Sequence, residues 1–165
     1  MTSSRDPSPG RFDSLQQQAF LNLWRTYDRL RQFEDELFAR FDLTPQQYNV
    51  LRLLRGEHPD SVPTLALGAR LVSRAPDITR MLDKLEVRGW IVRQRPAANR
   101  RQVLVGITEE GLKLLEQLDT PVRACHDRQL GHLPPPRLAQ LIELLEAARA
   151  PHELSEGHWG EKTEG

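Results

Sequence analysis

Cysteine is almost missing from this chain. Cys125 stands alone among 165 residues, so neither an intramolecular disulfide nor a cysteine-built metal site can form within one copy. No apolar run approaches the roughly 18 to 20 residues needed to cross a bilayer, and the stretch 1–10 is polar and Pro/Ser-rich, unlike a signal-peptide core. The expectation is a soluble, cytoplasmic protein without membrane contact. Net charge is missing as well, since 23 basic residues balance 23 acidic ones, which at first sight argues against a partner chosen by bulk charge. There is no Gly-rich phosphate loop, no H-E-x-x-H helix, no nucleophile elbow and no carboxylate pair isolated on an apolar face. No catalytic residue, and with it no cofactor, is therefore expected. His58, His126, His132, His152 and His158 never fall at i, i+4 spacing within one helix, which leaves a metal site unsupported. What remains is a hydrophobic core, and 38% hydrophobic residues in this length suit one compact domain or two small packed ones.

The patterning is mainly helical. Segments 1–13 and 151–165 read as disordered tails, rich in Pro, Gly, Ser and acid. From Leu15 to Phe41, the residues Phe20, Leu23, Trp24, Tyr27, Leu30, Phe33, Leu37 and Phe41 recur every three or four positions, one long helical stripe. In LTPQQYNVLRLL, Thr44 at the N-cap, Pro45 at the first turn and Gln47 at the capping-box position signal a second helix to about Arg55. Val62 is placed in a short strand, and TLALGARLV, opening at Thr64, forms a third helix. SRAPDITRMLDKLEVRGW carries Ile78, Met81, Leu82 and Leu85 on one side and ends at Gly89, the usual position for a left-handed C-terminal residue. IVRQR and QVLVGI, separated by PAANRR, read as a hairpin with a longer loop. Thr108 with Glu109 and Glu110 opens a fifth helix reaching toward Leu130, prolines 134–136 break it, and RLAQLIELLEAARA closes the chain as a sixth. The first and last helices hold more apolar surface than a monomer of this size needs to bury, which points to a homodimer.

The charge balance hides a segregation. Between Val62 and Thr108 nine basic residues (Arg70, Arg74, Arg80, Lys84, Arg88, Arg93, Arg95, Arg100, Arg101) face three acids (Asp77, Asp83, Glu86), a local +6 that leaves −6 elsewhere. A basic middle flanked by acidic helices attracts a phosphate backbone whatever the global sum. Two short helices joined by a tight turn near Ser73, followed by the hairpin, have the geometry of a winged helix-turn-helix. The open positions of the second helix are Arg74, Asp77, Thr79, Arg80 and Lys84. Arg80 suits bidentate pairing with guanine, Arg74 and Lys84 suit phosphates, and Thr79 suits a phosphate or a thymine methyl. Asp77 would repel phosphate, so its expected roles are, in order, stabilising the helix N-terminus, holding a neighbouring arginine, or accepting from a cytosine amino group. Arg100 and Arg101 at the hairpin tip would reach an adjacent minor groove.

The runs LTPQQYNVLRLL, RAPDITRMLDKLEVRGWIVRQ and NRRQVLVGITEEGLKLLEQL resemble the MarR family of bacterial transcription regulators over about residues 15–150. The resemblance implies a mainly α fold with a small β-hairpin wing (α+β): a winged helix-turn-helix at 43–108, six helices, and a homodimer through the helical regions 14–42 and 109–150. It implies a transcription regulator, most simply a repressor, that binds double-stranded DNA at a pseudo-palindromic operator. In that family an Asp-x-Arg wing motif sets an arginine in the minor groove. Here the matching residues are Asn99, Arg100 and Arg101, with Arg101 the groove residue and Asn99 an amide that accepts a hydrogen bond but supplies no ion pair. Members that respond to small phenolic or aromatic effectors hold them between the dimer helices and the winged lobe. The corresponding candidates are Trp24, Tyr27 and Tyr48, with Arg52 or Arg123 to meet an anion. Redox-sensing members use a cysteine early in the first helix, whereas Cys125 lies late in the fifth and is read as a buried structural thiol. The competing reading is a dimeric helical adaptor whose winged helix binds protein, a use that would not require arginines at the wing tip.

Overall fold

The computed structural model describes residues 12–73 and 77–153; the segments 1–11, 74–76 (which includes Arg74) and 154–165 lie outside the described residues. The element order is α1 (Leu15–Ala39), α2 (Pro45–Glu57), β1 (Val62–Pro63), α3 (Thr64–Ala69), α4 (Ile78–Val87), β2 (Ile91–Gln94), β3 (Leu104–Ile107), α5 (Glu109–Leu130) and α6 (Pro135–Arg149), followed by a 3-10 turn over Ala150–His152.

Helix starts follow local chemistry. Ser14, Thr44 and Thr108 each accept a backbone N–H of their own first turn, and Gln47 completes a capping box with Thr44. The ends correct several expected boundaries. The first helix stops at Ala39, because Arg40 is its C-cap and Asp42 turns into the left-handed region at φ 54°. The Leu43 N–H then returns to the Phe38 carbonyl at 3.0 Å, satisfying a group the helix end leaves free. The third helix is shorter than TLALGARLV, ending at Ala69 with Arg70 as cap. The fourth is shorter than the expected run from Arg74, because Asp77 is its N-cap and Ile78 its first residue. Pro135 and Pro136 do not merely interrupt the chain: they form the first turn of α6, where a missing N–H costs nothing.

The sheet order is β1-β3-β2, all antiparallel, with Val62 opposite Val105 and Arg93 also opposite Val105. Fully buried Phe38, Leu51, Leu54, Leu67, Leu82, Leu85, Val105, Leu115 and Leu118 join the C-terminal part of α1 to α2, α3, α4, β3 and α5 in one core. That core fixes α4 and the hairpin relative to each other. The expected stripe on α1 divides in two. Leu37 is buried and Phe33 and Phe41 half-buried, but Phe20, Leu23, Trp24 and Tyr27 are exposed. α6 has no buried residue within the single chain, with Ile142 56% and Leu144 69% exposed. No described helix is long and apolar enough to cross a membrane.

Candidate nucleic-acid interface

Helix α4 is an amphipathic element aimed outward. Leu82 and Leu85 are buried and Ile78 and Met81 half-buried, which by the 3.6-residue period leaves Thr79, Arg80, Asp83 and Lys84 exposed on the opposite face. The Asp77 carboxylate accepts the Arg80 N–H at 3.0 Å and so caps the helix. This is the first of the three roles its position allowed. Ser73, before α4, is exposed and accepts from Gln46 Nε2 of α2 at 3.5 Å.

The local +6 divides once the chain is folded. Arg70 pairs with Glu57 at 2.9 Å. Arg88 pairs with Asp42 at 2.8 Å and lies over the Trp90 ring at 4.0 Å. Arg93 bonds both Asp83 and Glu86, and its hydrogen bonds hold the Glu86 carboxyl below the ordinary glutamate range while raising its own basicity. These three arginines are structural. Arg80, Lys84, Arg95, Arg100 and Arg101 have no carboxylate partner among the described residues, and they sit on α4 and the wing. Acids placed elsewhere in the chain, together with Asp83 and Glu86 of α4, thus neutralise Arg70, Arg88 and Arg93 and leave the other described cations of α4 and the wing without a carboxylate.

The wing tip is an ordered loop. Asn99 N–H donates to the Pro96 carbonyl at 3.1 Å and Gln102 N–H to the Asn99 carbonyl at 3.1 Å, two successive turns. The Asn99 side-chain oxygen accepts the Arg101 N–H at 3.2 Å, and Arg95 Nη1 donates to the Arg100 carbonyl at 2.9 Å. Arg95 is a residue that the sequence reading counted only as charge; its approach to the Arg100 carbonyl depends on how the loop folds back. The wing, α3 and α4 enclose an open groove of about 720 Å³ lined by Thr64, Leu65, Thr79, Arg95, Asn99 and Arg101 among others. Thr79 of α4 and Arg101 of the wing therefore share one concave surface.

A second cavity, about 440 Å³, lies where α1, α2, α5 and the turn after α3 meet. It brings together three expected effector residues, Tyr27, Tyr48 and Arg52, with Glu34, Asn49, Leu71, Val72, Ser73 and His126. Trp24 and Arg123 do not line it: Trp24 is exposed on α1 beside Phe20, ring centroids 6.3 Å apart, and Arg123 is exposed on α5. Tyr48 stacks on Phe38 at 4.6 Å, and Arg52 donates to Asn49 at 2.9 Å. Burial pushes the Tyr48 hydroxyl up, against the pull of Arg55 and Arg52; burial likewise pushes the Glu34 carboxyl up, against His126. Glu34 and His126 carry no sequence signal for this site, because only the packing of α1 on α5 brings them together. Cys125 is buried and its thiol is pushed up, chiefly by burial and then by Glu34, which disfavours the reactive thiolate. Among the described residues no three histidine, cysteine or carboxylate side chains gather as a metal-binding group.

Comparison with known proteins gives this geometry a context. The model of the MarR family matches residues 43–103, the span from the end of α1 to the start of β3. A MarR transcription factor of Planctomyces limnophilus, solved by crystallography, is 55% identical, with a TM-score of 0.66 over 83% of this chain and 99% of that one. A mutant MarR of Escherichia coli, solved in complex with operator DNA, is 27% identical, with a TM-score of 0.67 over 79% of this chain and 95% of that one. The homoprotocatechuate degradative operon repressor of Escherichia coli is 28% identical over 110 residues, 67% of this chain and 73% of its own length.

Proposed function

The chain belongs to the MarR family of transcription regulators, and from that premise we propose that it is a cytoplasmic, homodimeric repressor that reads a pseudo-palindromic operator through α4 and the wing. The observation that carries this reading is the distribution of unpaired cations: every described basic residue of 62–108 that lacks a carboxylate lies on α4 or the wing. Arg80 reads guanine in the major groove, with Thr79 beside it; Ser73, Arg74, Lys84 and Arg100 meet phosphates; and Arg101, held by Asn99, enters the minor groove. Asp77 acts indirectly by starting α4 where Arg80 can reach a base edge. Two copies joined through the exposed apolar faces of α1 and α6 set two recognition helices about one DNA turn, roughly 10 base pairs, apart.

The cavity of Tyr27, Tyr48 and Arg52 takes a small aromatic or phenolic effector. Its wall includes Leu71, Val72 and Ser73, which join α3 to α4. A ligand that fits the cavity in only one arrangement of those elements shifts the population toward that arrangement, and a shift of a few Å takes one recognition helix out of register with its groove. The relative that represses a homoprotocatechuate degradative operon lends the aromatic class support.

The test is fluorescence anisotropy on the DNA upstream of the protein's own gene and on scrambled DNA, across salt concentrations. Tighter binding to the native fragment with a steep negative slope in log salt is expected. Arg80→Ala should cost about 1–3 kcal/mol on the native fragment and much less on scrambled DNA. Equal losses on both would remove its base-reading role, and absence of binding at low salt would favour a protein-binding adaptor.

A further inference from the structure

Arg95 ends the strand side of the wing, and Pro96, which lacks an N–H, carries the chain away from the sheet. The two turns closing at Asn99 and Gln102 are local, and so is the bond from Arg101 N–H to the Asn99 side chain. Each ties the loop only to residues two or three positions away. The Arg95 guanidinium, bonded at 2.9 Å to the carbonyl of Arg100, spans the loop from its β2 side to its tip. Arg95, Asn99 and Arg101 also line the same groove as Thr79.

We propose that Arg95 is the positioning residue of the wing, which sets the direction of Arg101 by clamping the Arg100 carbonyl, and that it does so without removing charge from the tip. A carboxylate brace would hold a guanidinium but cancel it. Here the brace is itself a cation and its acceptor a neutral peptide oxygen, so Arg95 and Arg101 keep their full charge in the groove they line, and Arg100 beside them is not neutralised either. Only one of Arg95's five N–H donors is engaged in this bond. Asn99, which can supply no ion pair, fits this arrangement: its amide oxygen orients one backbone N–H and leaves the arginines unneutralised. The inference rests on the proposed use of the wing as a DNA-contacting element for its functional meaning, but the clamp itself is a property of the free protein.

Two measurements separate these. In the free protein, hydrogen exchange followed by NMR should show the Arg101 and Gln102 amides exchanging about fivefold or more faster in Arg95→Ala than in wild type, with Leu85 and Val105 unchanged. Unchanged exchange at the tip, or equal acceleration at Leu85 and Val105, overturns the clamp. On operator DNA, a double-mutant cycle with Arg101→Ala reads the coupling. Arg95→Ala should weaken binding about fivefold to tenfold when Arg101 is present and about twofold or less when it is absent. Equal losses in both backgrounds overturn the positioning role, because they would make Arg95 an independent phosphate contact. Accelerated tip exchange in a protein whose wild type ignores DNA supports the clamp while removing the DNA reading.

Discussion

Glu86 shows how one side chain joins fold to site. Its Oε2 accepts the Arg93 backbone N–H at 2.9 Å, satisfying a donor on the open edge of β2, while Oε1 accepts from the Arg93 guanidinium at 3.1 Å. Because these bonds hold the carboxyl below its ordinary value of 4.5, its stabilisation is present at pH above that value and is lost as pH falls through the depressed one. Urea unfolding of wild type and Glu86→Gln across pH should show a difference of about 0.2–1 kcal/mol at neutral pH, small because the pair is partly solvated. The difference should vanish in acid; a gap that persisted there would mean that the pair is not its source. At this scale the sequence showed nine basic residues but not which of them face solvent unpaired. Arg70 meets Glu57 and Arg88 meets Asp42 across 13 and 46 positions, and separations of that kind leave no periodic trace.

Elements were more legible, because their ends are set by near neighbours. The Thr44 and Thr108 caps and the left-handed Gly89 at φ 76° lie where the local pattern put them. Where Asp77 and Arg40 act as caps, the helices are shorter than the apolar pattern alone implied, since a cap ends a helix irrespective of what the following residues would bury. Gly111 illustrates a constraint invisible in one dimension. It occupies the first turn of α5, where alanine normally favours a helix, yet a Cβ there would collide with the Trp90 carbonyl and with Ile107. Gly111→Ala should therefore destabilise by about 1–3 kcal/mol, overpacking outweighing the gain in helix propensity of at most about 1 kcal/mol. Thermal unfolding checks this, and a raised Tm would show that the α5 start can shift to make room.

For the whole molecule, the telling feature is apolar surface that none of the described residues covers. Phe20, Trp24 and Tyr27 on α1 are each more than 60% exposed, and α6 adds Ile142 and Leu144. Exposed apolar side chains on two helices call for a partner, and a second copy offers the same side chains with two-fold symmetry. Light scattering coupled to gel filtration should give twice the chain mass for wild type. The Phe20→Glu, Trp24→Glu double variant should elute as a folded monomer and lose operator affinity by much more than tenfold, because one lobe then binds one half-site. A variant that remains dimeric would move the interface off α1.

Near neighbours and composition were enough for the helix ends at Thr44, Gly89 and Thr108, the order of elements, the helix-turn-helix with its wing, and the concentration of positive charge between 62 and 108. Only packing in the folded chain sets which arginines are consumed by the fold, that one cavity gathers Tyr27, Tyr48 and Arg52 but not Trp24 or Arg123, and that Arg95 bonds the Arg100 carbonyl at the wing tip. The physical reason is range. A cap or a hydrophobic stripe is specified within one or two turns of chain, whereas an ion pair or a cavity wall exists only after distant segments have been packed together around a common core.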